Sequence, residues 1–177
     1  VSDDGINIKF SSVVLKNNIF RDNFADQIDL DYVTGEVTEN KFLYSASNLN
    51  ETDGLDISGS NLIIQNNLFS NMTDKGLSVG EKSIATISSN KFLNNNLGIA
   101  AKDGSSICID GNIFEKNNKN IVQYIKKKMY SQPNIYSKNE YQNKIHFIDQ
   151  NSIVSINRDN MPCNKIFLTQ KWLKIFP

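Results

Sequence analysis

The sequence predicts an all-β fold, a parallel β-helix of about six coils with 22–27 residues between equivalent positions. Three observations predict it: a repeated Asn-x-aromatic motif, a repeated apolar position ahead of that motif, and a repeated bend followed by an alternating strand. Helical repeats need more than about thirty residues per unit, whereas about 22 residues can close one turn of short strands and bends. Leucine-rich repeats share this length, but they require a Leu-x-x-Leu-x-Leu pattern that differs from the pattern of this chain.

The first motif is an Asn followed two residues later by an aromatic residue. Its copies are separated by 22, 27, 23, 22 and 27 residues. Asn tolerates the left-handed backbone of a sharp bend, and stacked amides bond along the axis of a solenoid. Stacked aromatic rings fill the interior. We therefore expect two structural ladders, formed by Asn18/Phe20, Asn40/Phe42, Asn67/Phe69, Asn90/Phe92, Asn112/Phe114 and, in degenerate form, Asn139/Tyr141.

Two further repeats complete each coil. An apolar residue three positions before each Asn indicates a strand, at Leu15, Val37, Ile64, Ile87, Ile109 and Tyr136. A bend opens another strand, at Gly5, Gln27, Gly54, Gly76, Gly98 and Asn120. Apolar residues alternate after the bend, at Ile6/Ile8, Ile28/Leu30, Leu55/Ile57, Leu77/Val79 and Ile99/Ala101. Such alternation is typical of a half-buried strand, so the residue between each pair is predicted to point outward.

Two segments are longer than the minimum coil requires. The Ser-, Asn- and Glu-containing stretch from Leu43 to Thr52 predicts an exposed loop that walls a groove. The stretch from Lys126 to Pro133 begins with three consecutive lysines. A charge run is typical of a solvated face, and it also suits an anionic polymer.

The predicted organisation is one domain, with the coils in residues 1–144 and a C-terminal capping segment in residues 145–177. Such a segment would cover an open sheet edge that otherwise aggregates. The chain begins directly in a repeat, so we expect a piece of a longer chain with possible neighbouring domains. Cys108 and Cys163 match no zinc spacing, which leaves a single disulfide and two free thiols as alternatives.

Composition excludes some classes of partner. The formal net charge is zero, which gives no support to a general attraction for nucleic acid. No apolar run approaches the roughly 20 residues that span a bilayer, so membrane insertion is not expected.

Acidic residues gather on one outer face of neighbouring coils. Gln27 occupies the bend position of Gly54 one coil earlier, which stacks Asp29 beneath Asp56 and brings Asp26 to the same face. Stacked strands lie about 4.8 Å apart, and carboxylates at that distance cannot both stay ionised without compensation.

Two kinds of compensation are open. Calcium accepts six to eight oxygens from carboxylates, carbonyls and water, so one hypothesis is a calcium site. Its predicted ligands are Asp29, Asp31, Asp53 and Asp56. The alternative is a surface ion-pair network, in which Lys75 lies above Asp53 and Lys9 lies below Asp31.

Over residues 1–144 the pattern resembles right-handed, single-stranded parallel β-helix proteins of the pectate-lyase-like superfamily. Asp53-Gly54-Leu55-Asp56, with Asp29 beneath, is similar to the aspartate cluster that holds calcium in some polysaccharide lyases of that superfamily. In those enzymes a lysine on the next strand removes the proton alpha to the uronate carboxylate. Ser78 occupies that position here, and Lys75 lies at the bend just before it. If the protein is an enzyme, the resemblance implies calcium-dependent β-elimination with Lys75 as the catalytic base.

The sequence therefore favours a secreted or cell-surface β-helix that recognises an acidic polysaccharide and, as an enzyme, would cleave it. Outward polar residues near the acids are the predicted substrate contacts: Lys9, Ser78, Glu81 and Lys102. The alternative function is a noncatalytic structural or carbohydrate-binding solenoid.

Overall fold

The computed structural model describes residues 4–45, 50–137 and 145–147, and all strands in these ranges pair in parallel. Each of the first five turns adds one strand to each of three sheets. Sheet A contains β1 (Ile6–Lys9), β4 (Ile28–Asp31), β7 (Leu55–Ser58), β10 (Lys75–Gly80), β13 (Leu97–Lys102), β16 (Lys119–Tyr124) and β18 (Ile145–Phe147). Sheet B contains β2 (Ser12–Lys16), β5 (Thr34–Thr38), β8 (Asn61–Gln65), β11 (Ile84–Ser88), β14 (Ser106–Asp110) and β17 (Asn134–Ser137). Sheet C contains β3 (Ile19–Arg21), β6 (Lys41–Leu43), β9 (Leu68–Ser70), β12 (Lys91–Leu93) and β15 (Ile113–Glu115).

The alternation predicted for sheet A is confirmed in β1, β4 and β7, whereas in β10 and β13 the residues between the apolar pairs, Ser78 and Ala100, are buried as well. In β7, Leu55 and Ile57 are fully buried and Asp56 between them is partly exposed. Asp56 pairs in register with Asp29 of β4, so the two aspartates occupy the same outward column. The apolar residues on either side of each outward position point into the solenoid and form its continuous core.

The aromatic ladder is confirmed across five turns. Its rings are stacked, with centroids 5.3, 4.7, 4.9 and 5.1 Å apart along the series Phe20, Phe42, Phe69, Phe92 and Phe114. These spacings match the separation of paired strands, since each turn places its Phe directly over the previous one.

The Asn ladder is also confirmed, but the reason given for it needs correction: the left-handed backbone lies at the residue before each ladder Asn. These residues are Asn17, Glu39, Asn66, Ser89 and Gly111. At Asn67, the backbone N–H donates to Asn90 Oδ1 at 2.9 Å, while the side-chain amide donates to the Val37 carbonyl oxygen at 2.8 Å. The same pair of bonds repeats at Asn40 and Asn90. Each amide thus satisfies backbone groups that the bend would otherwise leave without partners.

Two expectations from the sequence need correction, and a third concerns residues that the structure does not describe. Ile109 pairs with Ser137 and not with Tyr136, because the sixth turn is shifted by one residue in sheet B. The segment predicted as an exposed loop is not exposed throughout: Tyr44 and Thr52 are buried near its ends. Residues 46–49 and the degenerate motif at 139 and 141 lie outside the described residues.

Sheet A continues past residue 144, because β18 pairs with β16. Apart from that strand, the predicted cap of residues 145–177 lies outside the described residues. Cys108 is buried and disulfide-bonded, whereas Cys163 lies outside the described residues. None of the described residues belongs to a helix long and apolar enough to cross a membrane.

Candidate functional site

A second ladder of side chains lies at the corner where each turn bends into sheet A. Asp53 N–H donates to Asp26 Oδ1 at 2.8 Å, and Asp26 N–H donates to Asp4 Oδ1 at 3.2 Å. Lys75 N–H then donates to Asp53 Oδ1 at 2.9 Å. We name Asp4, Asp26 and Asp53 the acid ladder. Its carboxylates satisfy the N–H groups of successive bends, which is why aspartates recur at this position.

The acid ladder meets the outward column of sheet A. Carboxylate oxygens of Asp26, Asp53 and Asp56 lie within 4.8 Å of one another. We name these three residues the acidic site. Asp53 is 4% exposed, whereas Asp56 lies at a partly exposed position on β7. A buried oxygen of Asp56, Oδ1, accepts no hydrogen bond from any described residue.

Lys75 is the nearest cation of the acidic site. Its Nζ lies 3.2 Å from both carboxylate oxygens of Asp53 and also contacts Asp74 Oδ2. Asp74 was not predicted as a site residue. Its position directly before Lys75 could have indicated it, because its short side chain reaches the Lys75 ammonium group.

Lys102 reaches the acidic site from two turns away. Its Nζ lies 3.7 Å from Asp56 Oδ1, which is an ion pair but too long for a hydrogen bond. The lysine stem passes over Gly80: a Cβ there would lie 3.3 Å from Lys102 Cε. The glycine therefore leaves the space through which Lys102 approaches Asp56.

Burial and, to a smaller extent, neighbouring carboxylates raise the pKa values of three aspartates on this face. Burial raises the pKa of Asp53 to about 7, and the neighbouring carboxylates of Asp26 and Asp56 add to the rise that Lys75 opposes. Burial also raises the pKa values of Asp26 and Asp29 to about 6, with Asp56 among the charges that contribute. With a pKa of about 7, Asp53 is partly protonated at neutral pH, whereas Asp26 and Asp29, with pKa values of about 6, are mostly ionised there.

The pKa of Lys75 moves in the opposite sense from that needed for a general base. Burial alone lowers the pKa, but the charges of Asp53 and Asp74 and the hydrogen bond to Asp74 outweigh burial and raise it above its usual value. Burial raises the pKa of nearby Tyr124 to about 12. Lys75 is consequently an ammonium ion at neutral pH.

The family model for the right-handed β-helix region matches residues 4–160. The chain belongs to this right-handed β-helix family. No curated protein and no solved structure matches the chain. The right-handed β-helix establishes the hand of the coil and the stacking of equivalent residues. Because one fold can carry many functions, the site has to be interpreted from its own residues.

Within the β-helix, only two of the four predicted metal ligands belong to the acidic site. Asp53 and Asp56 come together, with Asp26 as the third member. Asp31 instead pairs with Lys9, whose Nζ lies 2.7 Å from Asp31 Oδ2. Asp29 stacks on Asp56 as predicted, and its Oδ2 accepts a hydrogen bond from Asn7 Nδ2 at 2.7 Å.

The remaining predicted contacts of the β-helix take different positions. Ser78 follows Asp56 in the outward column but is fully buried, and its Oγ has no hydrogen-bond partner among the described residues. Glu81 directly follows the C-terminal end of β10 and pairs with Lys127. Lys102 is almost fully buried at its ion pair with Asp56. Both ion pairs of the network hypothesis, Lys75 with Asp53 and Lys9 with Asp31, are present.

Proposed function

We propose that this β-helix binds acidic polysaccharide through calcium held at the acidic site, and that it binds without cleaving. The observation that carries the proposal is the convergence of Asp26, Asp53 and Asp56 within 4.8 Å. Carboxylate oxygens are the ligands that calcium prefers, and calcium accepts six to eight oxygens.

The ion pairs around the acidic site leave negative charge unbalanced. Lys75 and Lys102 contact Asp53 and Asp56, while Lys75 is shared with Asp74. No described lysine forms an ion pair with Asp26. A divalent cation would offset this excess charge and would offer its remaining coordination positions to uronate carboxylates and water. The partly exposed Asp56 and Asp29 keep this face of sheet A accessible to such a ligand.

Binding is favoured over cleavage because neither of the bases considered from the sequence, Lys75 or Ser78, suits the role. Asp53 has a pKa of about 7, but it is 4% exposed and is assigned here to the cation. β-Elimination requires a group that removes a proton near working pH. Lys75 is held as an ammonium by two aspartates, and Ser78 is buried. We therefore expect polyuronate to bind in the presence of calcium without forming unsaturated uronate products, which would be detected by their absorbance.

A secreted or cell-surface location is part of the same proposal. Its support is the disulfide bond of Cys108, since such bonds persist in oxidising compartments and are rare in the cytosol. A polysaccharide ligand is accessible there. Thiol titration of the protein purified from its native source would test this, because a free Cys108 thiol would contradict it.

The calcium site is tested by thermal unfolding with calcium or with EDTA. Calcium at about one hundred times its dissociation constant should raise the melting temperature by about 5 °C, because it binds only the folded state. Asp56→Asn should remove most of that increase. An increase that is unchanged in Asp56→Asn would contradict a site built on this carboxylate.

Asp31→Asn is the matched control. Asp31 and Asp56 both point outward from sheet A, and each pairs with a lysine, yet only Asp56 belongs to the acidic site. Asp31→Asn should therefore keep the calcium response. Equal losses in the two variants would show that calcium responds to the general charge of this face and not to a defined site.

A further inference from the structure

We propose that a second surface of the β-helix binds acidic polysaccharide without a divalent cation. We name the segment from Lys126 to Pro133 the lysine loop. The second surface consists of this loop and of Lys82 beside it. The proposal rests on the proposed function for the class of ligand. Its location is different: the acid ladder precedes the strands of sheet A, whereas the lysine loop follows the end of β16.

The lysine loop is fixed at its start by a buried carboxylate. Asp103 is 1% exposed, and its Oδ1 accepts the backbone N–H groups of Lys126 and Lys127 at 2.7 and 2.8 Å. A carboxylate that accepts two N–H groups forms strong, charge-assisted hydrogen bonds. Tyr130 N–H then donates to the Lys127 carbonyl oxygen at 3.0 Å, which closes a turn with Lys128 at its tip.

The end of the lysine loop is fixed as well. Buried Gln123 donates from Nε2 to the Pro133 carbonyl oxygen at 2.7 Å. Gly104, with φ of +71°, lies under the loop, and a Cβ there would be 3.2 Å from Ser131 Oγ and 3.5 Å from Lys82 Cγ. The backbone is thus anchored on both sides of the lysines, so little backbone freedom remains to be lost when a ligand binds.

The charges of this surface are available for a ligand. Lys82, Lys126 and Lys128 are exposed, and no carboxylate among the described residues forms an ion pair with any of them. Lys127 differs because it pairs with Glu81. Lys82 Nζ lies 6.0 Å from the centre of the Tyr130 ring, which places it beside the loop. In a chain of zero formal net charge, these lysines form a local positive patch.

The composition of the patch favours a polysaccharide over a membrane surface. Ammonium groups on flexible stems can reach carboxylates spaced along a polymer, and Tyr130 adds a partly buried ring beside them. Met129 is 83% exposed at the turn, but it is a single apolar side chain. Stable membrane attachment needs more buried apolar surface than that.

The test measures binding of polygalacturonate in EDTA at low ionic strength. The variant carries Lys82→Ala, Lys126→Ala and Lys128→Ala, and its affinity should fall about tenfold. The control carries Lys16→Ala, Lys41→Ala and Lys116→Ala, three exposed lysines away from the loop, and should lose less than about twofold. Equal losses would overturn the proposal, because they would indicate a general charge effect.

A second pair of variants tests the anchoring of the loop. Asp103→Ala removes a negative charge, so charge alone predicts tighter binding, whereas loss of the anchor predicts weaker binding. We expect Asp103→Ala to weaken binding about threefold or more. Asp103→Asn keeps an acceptor oxygen and should bind at least as tightly as the wild type. Tighter binding by both variants would overturn the role assigned to the ordered loop.

Polygalacturonate binding measured with calcium and in EDTA distinguishes this proposal from the calcium site. If calcium adds no affinity but the triple loop variant loses binding in EDTA, the proposed function fails and the second surface stands. If wild-type protein binds polygalacturonate only with calcium, the second surface is overturned and the calcium site stands. Binding to vesicles rich in phosphatidylserine, without binding to polygalacturonate in EDTA, would assign the surface to a membrane and overturn the proposal.

Discussion

The Asn ladder and the acid ladder satisfy the same kind of backbone group with side chains that differ in one terminal group. In both, a side-chain oxygen accepts the N–H of an equivalent bend on the neighbouring turn. The Asn side chain also carries an amide that donates to a carbonyl, as Asn67 does to Val37. The Asp side chain has no such donor and carries a charge.

This difference explains how far each ladder extends. The Asn ladder continues through five turns, with its inner members almost fully buried, because a neutral amide can repeat without accumulating charge. The acid ladder stops after Asp53, where Lys75 takes the next position. Each further aspartate adds a negative charge and no hydrogen-bond donor, so the ladder soon requires a cation. This need for a cation makes the acid ladder a candidate binding site.

The largest expected effect comes from placing an acid in the Asn ladder. Asn67→Asp should lower the free energy of unfolding by about 3–5 kcal/mol at pH 7, because it buries an unpaired charge and removes the donor to Val37. Urea denaturation would measure the loss. Part of it should be recovered at low pH, where the buried carboxyl is protonated and can donate again.

Asn96→Asp is the control for that substitution. Asn96 is exposed, and its Oδ1 accepts a hydrogen bond from Asn118 Nδ2 that a carboxylate can also accept. The expected loss is below about 0.5 kcal/mol. A comparable loss at positions 67 and 96 would contradict the view that burial separates the ladders.

A second effect is expected in the pH dependence of the wild-type protein without calcium. Unfolded aspartate has a pKa near 3.8, whereas Asp26 and Asp29 have folded pKa values of about 6 and Asp53 of about 7. Between these values the folded state binds more protons than the unfolded state, so its stability should fall as pH rises from about 4 to about 7.

Asp53→Asn isolates the contribution of the most buried acid. The amide oxygen can still accept the Lys75 N–H, but the group no longer titrates. The fall in stability between pH 4 and pH 7 should therefore be shallower in this variant. An identical pH dependence in the two proteins would contradict the raised pKa of Asp53.

The sequence predicted the fold well because the ladders depend on local periodicity. Asn67 and Phe69 recur at a fixed spacing, so their stacking follows from the repeat alone. The outward position of Asp56 followed from alternation in the same way. A one-residue shift in the last turn was missed at Tyr136, since Ser137 gives no apolar signal for the inward position.

The candidate site was less predictable because its contacts cross the repeat. Lys102 was predicted to face a ligand, but its stem passes over Gly80 and its ammonium pairs with Asp56. The reach of a long side chain across two turns has no periodic signal. Asp26 was placed on the correct face, but only the geometry of the bend showed that it, and not Asp31, lies beside Asp53.

The smallest expected effect concerns Lys102, and it distinguishes a cation site from a structural ion-pair network. Lys102→Met keeps a long apolar side chain over Gly80 but removes the charge next to Asp56. Stability should fall by about 1 kcal/mol, because the side chain of Asp56 remains 26% exposed to solvent. If calcium and the Lys102 ammonium compete for the same carboxylate, calcium should bind about fivefold more tightly to Lys102→Met by calorimetry, which corresponds to about 1 kcal/mol.

Lys9→Met removes the partner of Asp31, outside the acidic site, and should leave calcium affinity unchanged. If the aspartates and lysines form only an internal network, Lys102→Met will lose stability without any gain in calcium affinity, and the acid ladder will then differ from the Asn ladder in charge but not in function.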